Sequence, residues 1–96
     1  MSLEIIEKRL SGAKRIFENV IEEWFNDKEC KFLKEHEVKI ISRQTQEADY
    51  DKSIDDNWDF EVYVDNKLVW ADWAGASDYA TSYIEEEVIR RYNENK

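Results

Sequence analysis

Apolar residues in the first quarter of the chain recur in steps of three and four: Ile6, Leu10, Ala13, Phe17, Val20, Ile21 and Trp24. That spacing predicts one helix over 3–26, capped by Ser2, with Glu4 and Glu7 near the positive end of its dipole. Gly12 inside it costs about 1 kcal/mol against alanine without ending the pattern. Residues 27–36 are charged and read as a short turn or an extra helical turn, with Phe32 and Leu33 as its packing pair. From Val38 the period changes to two, which predicts a strand over 38–45. Residues 46–57 form a polar, acidic connection. Trp58, Phe60, Val62 and Val64 then alternate with Asp59, Glu61, Tyr63 and Asp65, giving a strand over 58–65. Asp65-Asn66 accepts positive φ and marks a tight hairpin, so 68–74 returns as a third strand.

A two-residue turn keeps face parity along that hairpin. Val69, Ala71 and Trp73 then join the core face with Trp58, Phe60 and Val62, and Trp70 and Asp72 share the outer face with Glu61 and Tyr63. Gly75 breaks the strand, and Ser77 or Asp78 caps a second helix over 78–93, where Ala80, Ile84, Val88 and Tyr92 repeat every four residues. The expectation is a single α+β domain over 1–96, ordered α-β-β-β-α. It has a three-stranded antiparallel meander with helices packed on one face. Its core sets Trp58, Phe60, Val62 and Trp73 against Phe17, Val20, Ile21, Trp24, Ile84 and Val88.

Charge changes this picture. The 96 residues carry 23 acids and 14 bases, a formal net charge of −9. Residues 1–43 are balanced, with nine acids and nine bases. Residues 44–87 hold thirteen acids and only Lys52 and Lys67 as bases. With 14% aromatic residues this is no disordered acidic tail, because such tails lack the residues that build a core. Direct binding of nucleic acid is not expected, since phosphate contacts need Lys and Arg. No apolar run is long enough to span a membrane, and Glu4 and Glu7 argue against a secretory leader. The lone Cys30 permits no internal disulfide, which suits the cytoplasm.

Little of the chain suggests catalysis or a cofactor. His36 lies in the charged run Lys34-Glu35-His36-Glu37, and Cys30 is isolated. Two glycines in all cannot make a phosphate-cradling loop. One Cys and one His do not make a usual structural zinc site. Asp49-Tyr50-Asp51-Lys52-Ser53-Ile54-Asp55 spaces oxygen ligands like a calcium loop. Ile54 stands where that loop needs glycine and Phe60 where it needs a bidentate glutamate. The expectation is therefore no enzyme, no metal and no cofactor.

The positive signal is acidic and aromatic. Asp59 and Glu61, two apart on one strand, stand about 6.7 Å apart on one face, close to the spacing of phosphates along a nucleic-acid strand. Asp72 is expected beside Glu61 across the hairpin, where like charges destabilise a sheet unless something compensates. Lys39 and Arg43 on the first strand are the candidates for that compensation. Otherwise the acids form a negative ladder, extended by Glu47, Asp49, Asp51, Asp55 and Asp56 in the loop and by Glu85 and Glu86 on the second helix. Tyr63 and Trp70 add aromatic anchors, the residue types that carry much of the energy at protein interfaces.

In size, acidity and order of elements the chain resembles small phage-encoded inhibitors that mimic nucleic acid, notably type II anti-CRISPR proteins. The resemblance implies occlusion of a basic nucleic-acid-binding site on a CRISPR nuclease, in the host cytoplasm. The element order also looks like a double-stranded-RNA-binding domain, but Tyr83-Ile84-Glu85-Glu86-Glu87 stands where such a domain is basic. The leading expectation is a stoichiometric, non-enzymatic inhibitor of a defence nuclease, of anti-CRISPR or anti-restriction type. The alternatives are an immunity protein or antitoxin that neutralises a basic toxin, and a structural or regulatory homodimer whose acidity only keeps it soluble.

Overall fold

A computed structural model describes residues 3–18 and 22–95. The chain is a single small α+β domain built on one five-stranded mixed sheet of order β2-β1-β3-β4-β5. Its strands are β1 (Leu3–Lys8), β2 (Lys14–Glu18), β3 (Val38–Gln46), β4 (Asn57–Val64) and β5 (Lys67–Ala74). Neighbours are antiparallel except β1 and β3, which run parallel. α1 (Asp27–Glu35) links β2 to β3. A helical segment over 79–94 closes the chain: a 3-10 stretch (Tyr79–Tyr83), a π-wound turn (Ile84–Ile89) and α2 (Arg90–Glu94).

The expected first helix is a β-hairpin instead. Leu3, Ile5 and Glu7 point inward and Glu4 and Ile6 outward, the period of a strand. Gly12 is not a tolerated interior residue but the turn itself, at φ +93°. Arg9 and Ala13 close that turn, with Arg9 N–H donating to the Ala13 carbonyl at 2.9 Å. The helical spacing of Ile6, Leu10 and Phe17 is coincidental, and Leu10 and Ile16 lie exposed. Two neighbours decide the outcome: β1 is bonded to β2 on one side and β3 on the other, and β-branched Ile5 and Ile6 suit that setting. Of the residues expected to pack from this region, Phe17 lies against the core and Trp24 is 61% exposed. Val20 and Ile21 lie outside the described residues.

The charged stretch before β3 is a full helix. Asn26 and Glu29 form a reciprocal capping box, and Phe32 and Leu33 are buried as expected. Glu29 does more than cap. Its second carboxylate oxygen accepts the backbone N–H of Glu85 at 2.9 Å, joining α1 to the C-terminal helical segment. Both helical segments pack on the sheet face that carries Ile5, Ile40, Val62 and Trp70, and Phe32 and Leu33 of one and Ile84 and Val88 of the other join the same core.

The meander stands where the alternation placed it, with one shift. Asp65 and Asn66, both at positive φ, form the two-residue turn and pair Val64 with Lys67. The register then slips between Val62 and Tyr63, leaving Val69 as the extra residue of a β-bulge. Parity on β5 reverses beyond it. Trp70 and Ala74 are buried, whereas Ala71 and Trp73 are exposed, Trp73 by 66%. Trp58, Phe60, Val62, Ile84 and Val88 are buried as expected.

Candidate acidic surface

The bulge disperses the expected ladder. Asp59 pairs with Trp73 and Glu61 with Ala71 on the open face, but Asp72 pairs with Phe60 on the helix-bearing face. Asp59, Glu61 and Asp72 therefore do not share a face, and Glu61 and Asp72 are not cross-strand neighbours. Trp70 is no surface anchor. It lies in the core, edge-on to Phe60 at 4.8 Å, with the Arg91 guanidinium 5.6 Å from its ring. Tyr63 stays on the open face and donates its hydroxyl to Glu61 at 2.9 Å.

Glu61 is compensated rather than free. Arg43, diagonal to it on β3 and opposite Asp59, forms a hydrogen-bonded ion pair with it. That guanidinium first, and the Tyr63 hydroxyl second, hold the Glu61 carboxyl below the ordinary carboxylate range. Lys39 stands opposite Tyr63 in the same face. Of the two bases expected to compensate the acids of β4, Arg43 makes the contact.

Several of the acids that no base answers lie at one end of the sheet. The connection between β3 and β4 is a tight acidic loop. Asp49 and Ile54 exchange backbone hydrogen bonds, and Tyr50–Lys52 makes a 3-10 turn that ends at Ser53 in the left-handed region. Asp56 fastens this loop, accepting from Gln44 Nε2 at 3.1 Å and from the Ala48 N–H at 2.8 Å. Asp56 is thus a structural clamp, and Asp49 shapes the loop through its backbone. Glu47, Asp51 and Asp55 are exposed, with Lys52 the only base among residues 44–66. Gly75, after β5, approaches the Asp56 carbonyl, so the 75–78 connection lies against the same loop. That places exposed Asp72 and Asp78 at the same end.

Two aromatic residues missed by sequence reasoning stand among these acids. Tyr50 is 84% exposed at the loop tip. Tyr79 stacks on Tyr83 at 4.8 Å, and its hydroxyl is held above the ordinary tyrosine range by Tyr83 first and by burial second, with Asp72 and Glu87 adding to the effect. Periodicity carried no signal for either residue, because one sits in a loop and the other in the first turn after a strand break.

Glu85 and Glu86 do not join this end. Glu85 accepts from Asn26 Nδ2 at 2.8 Å and pairs with Lys28 at 3.5 Å. Glu86 lies beside it in a shallow groove that also carries Arg90. Among the described residues no three His, Cys, Asp or Glu side chains are grouped to hold a metal ion. The calcium-like spacing 49–55 thus folds into the Asp49–Ile54 bridge. His36 is committed to Asp65 at 2.7 Å and stacks with Phe32 and Tyr92.

These features define a small α+β protein with a sheet covered on one face and an acidic loop end. Comparison with known protein families, curated proteins and solved structures finds no match to this chain. Among the described residues no helix is long and apolar enough to cross a membrane.

Proposed function

We propose that the chain is a non-enzymatic, stoichiometric inhibitor whose acidic end occupies the nucleic-acid-binding groove of a defence nuclease. The observation that carries this reading is the gathering of Glu47, Asp51, Asp55, Asp72 and Asp78 at one end of the sheet, with Tyr50 and Tyr79 exposed among them. None of these carboxylates is paired with a base, Asp72 accepting only the Trp73 N–H, so they keep their charge for a basic groove and steer encounter with it. Exposed tyrosines supply rigid contact area at low entropic cost. The loop holds the acids in place through its Asp49–Ile54 pairing and the Asp56 clamp, so little ordering is left for binding. The surface that acts is the loop end, rather than a ladder along β4 and β5.

The test is a cleavage assay across CRISPR effector and restriction nucleases. One nuclease should lose activity at a stoichiometric ratio, and excess substrate DNA or raised salt should relieve the block. The triple variant Glu47→Lys, Asp51→Lys, Asp55→Lys should lose inhibition while melting like the parent. Glu35→Lys, at an exposed position of α1, should inhibit normally. A triple variant that inhibits as well as the parent would falsify the assignment of this end.

A further inference from the structure

We infer that the open face of the sheet is a homodimer interface, a second copy of this chain being its occupant. Register places three rows of side chains on that face. The middle row is Ile16, Ile6, Ile41, Glu61 and Ala71. On one side stand Glu4, Lys39, Tyr63 and Leu68, and on the other Lys14, Lys8, Arg43, Asp59 and Trp73. Among the described residues no helix packs there. Ile16 and Leu68 are each 53% exposed and Trp73 66%, three of the large apolar side chains the monomer leaves in water.

This face complements itself. A two-fold axis lying along the middle row exchanges the outer rows and sets each strand over its own copy. Ile16, Ile6 and Ile41 then meet their equivalents, Leu68 of one copy meets Trp73 of the other over the small Ala71, and the two Glu61 carboxylates also face each other on the axis, each answered by Arg43 of its own chain. Glu4 meets Lys8, and Tyr63 meets Asp59. Lys39 meets Arg43, whose charge is already held by Glu61 in its own chain. A closed, isologous contact of this kind limits assembly to two copies. Five strands and three rows cover a plane of about 24 by 20 Å, so pairing buries on the order of 1,200 Å² in total, the lower end of stable interfaces. The axis also carries the two acidic loops to opposite ends of the dimer. The proposal uses none of the loop acids and is independent of the inhibitor reading.

Sedimentation equilibrium on the full chain tests it. The parent should pass from monomer to dimer somewhere between about 1 and 100 μM. Ile16→Glu, at an exposed edge position, sets carboxylates against each other on the axis and should weaken pairing at least about tenfold. Glu4→Lys and Lys8→Glu should each weaken it, and the double variant should restore it, because the two positions meet only between copies. Far-ultraviolet dichroism on every variant verifies the fold. A parent that stays monomeric to about 1 mM overturns the proposal. So does a dimer that Ile16→Glu leaves intact, or one that the double charge swap fails to restore.

Discussion

Replacing Trp70 separates the bulged hairpin from an unbulged one, because the two put different tryptophans in the core. Trp70 is 4% exposed, packs edge-on to Phe60 and lies under Arg91. Truncating a buried aromatic to alanine costs about 3–5 kcal/mol. That is a large part of the roughly 5–15 kcal/mol that holds a domain folded. Phenylalanine is the informative second variant. The Trp70 indole N–H is buried and has no hydrogen-bond partner, and a stranded buried donor costs about 1–3 kcal/mol. Phenylalanine removes that donor while giving up part of the ring area, roughly 1–2 kcal/mol at the usual area coefficient. The two effects offset, so Trp70→Phe should stay within about 1 kcal/mol of the parent.

Urea denaturation followed by dichroism reads both variants, with the m-value checking that the unfolding unit is unchanged. Trp73→Ala in dilute solution supplies the contrast and should shift stability by no more than about 0.5 kcal/mol, as surface changes do. Trp70→Ala costing less than about 1 kcal/mol, or Trp70→Phe costing as much as Trp70→Ala, would refute the bulge and the core assignment together.

Two further outcomes follow from the polar contacts. Glu29→Ala strands the Asn26 and Glu85 N–H groups, bonded to Glu29 at 3.0 and 2.9 Å, and should cost about 2–4 kcal/mol in urea melts; Glu29→Gln, which keeps one acceptor, should cost less. Glu61 has its folded carboxyl depressed by Arg43, so the stability it contributes is present above the ordinary carboxylate value of about 4.3 and is lost as pH falls through the lower folded value. The gap between parent and Arg43→Ala in urea midpoint should therefore be widest above that value and should close with acidification.

The meander was legible because its signals are local. The period-two alternation of Trp58–Val64 and the Asp65-Asn66 turn each rest on a few neighbouring residues. The N-terminal hairpin was hidden because its decisive partner, β3, lies some thirty residues away and pairs with β1 in parallel. A helical spacing of apolar residues then outweighed a turn that only Gly12 marks. The bulge at Val69 was invisible for another reason. Without it Val69, Ala71 and Trp73 form an acceptable inward set, and with it Trp70 and Ala74 do. The choice between them is made by Phe60 and the helical segment, which accept the Trp70 indole edge-on. Among the candidate acids, those of the loop keep their assignment to the surface, whereas Glu61 and Asp56 are consumed by Arg43 and by Gln44 and Ala48.

That division of the acids sets how the charge can work. A carboxylate answered by a guanidinium contributes to the fold and its field largely cancels at a distance, whereas one answered by backbone N–H groups is fixed in place but keeps its charge. Glu7, Glu29, Asp56, Glu61, Asp65 and Glu87 are all answered in one of these ways. Glu47, Asp51, Asp55, Asp72 and Asp78, none of them paired with a base, place much of the excess negative charge at one end of the sheet. Of the bases of the first half, Lys8, Lys14 and Arg43 form a row of the open face, and Lys28, Lys31 and Lys34 lie on α1. The molecule thus carries a local separation of charge that its net −9 conceals. In the proposed inhibitor a basic partner drawn by that field would meet the loop end first, and the open face, nearly balanced in charge, would be left for the proposed contact between copies.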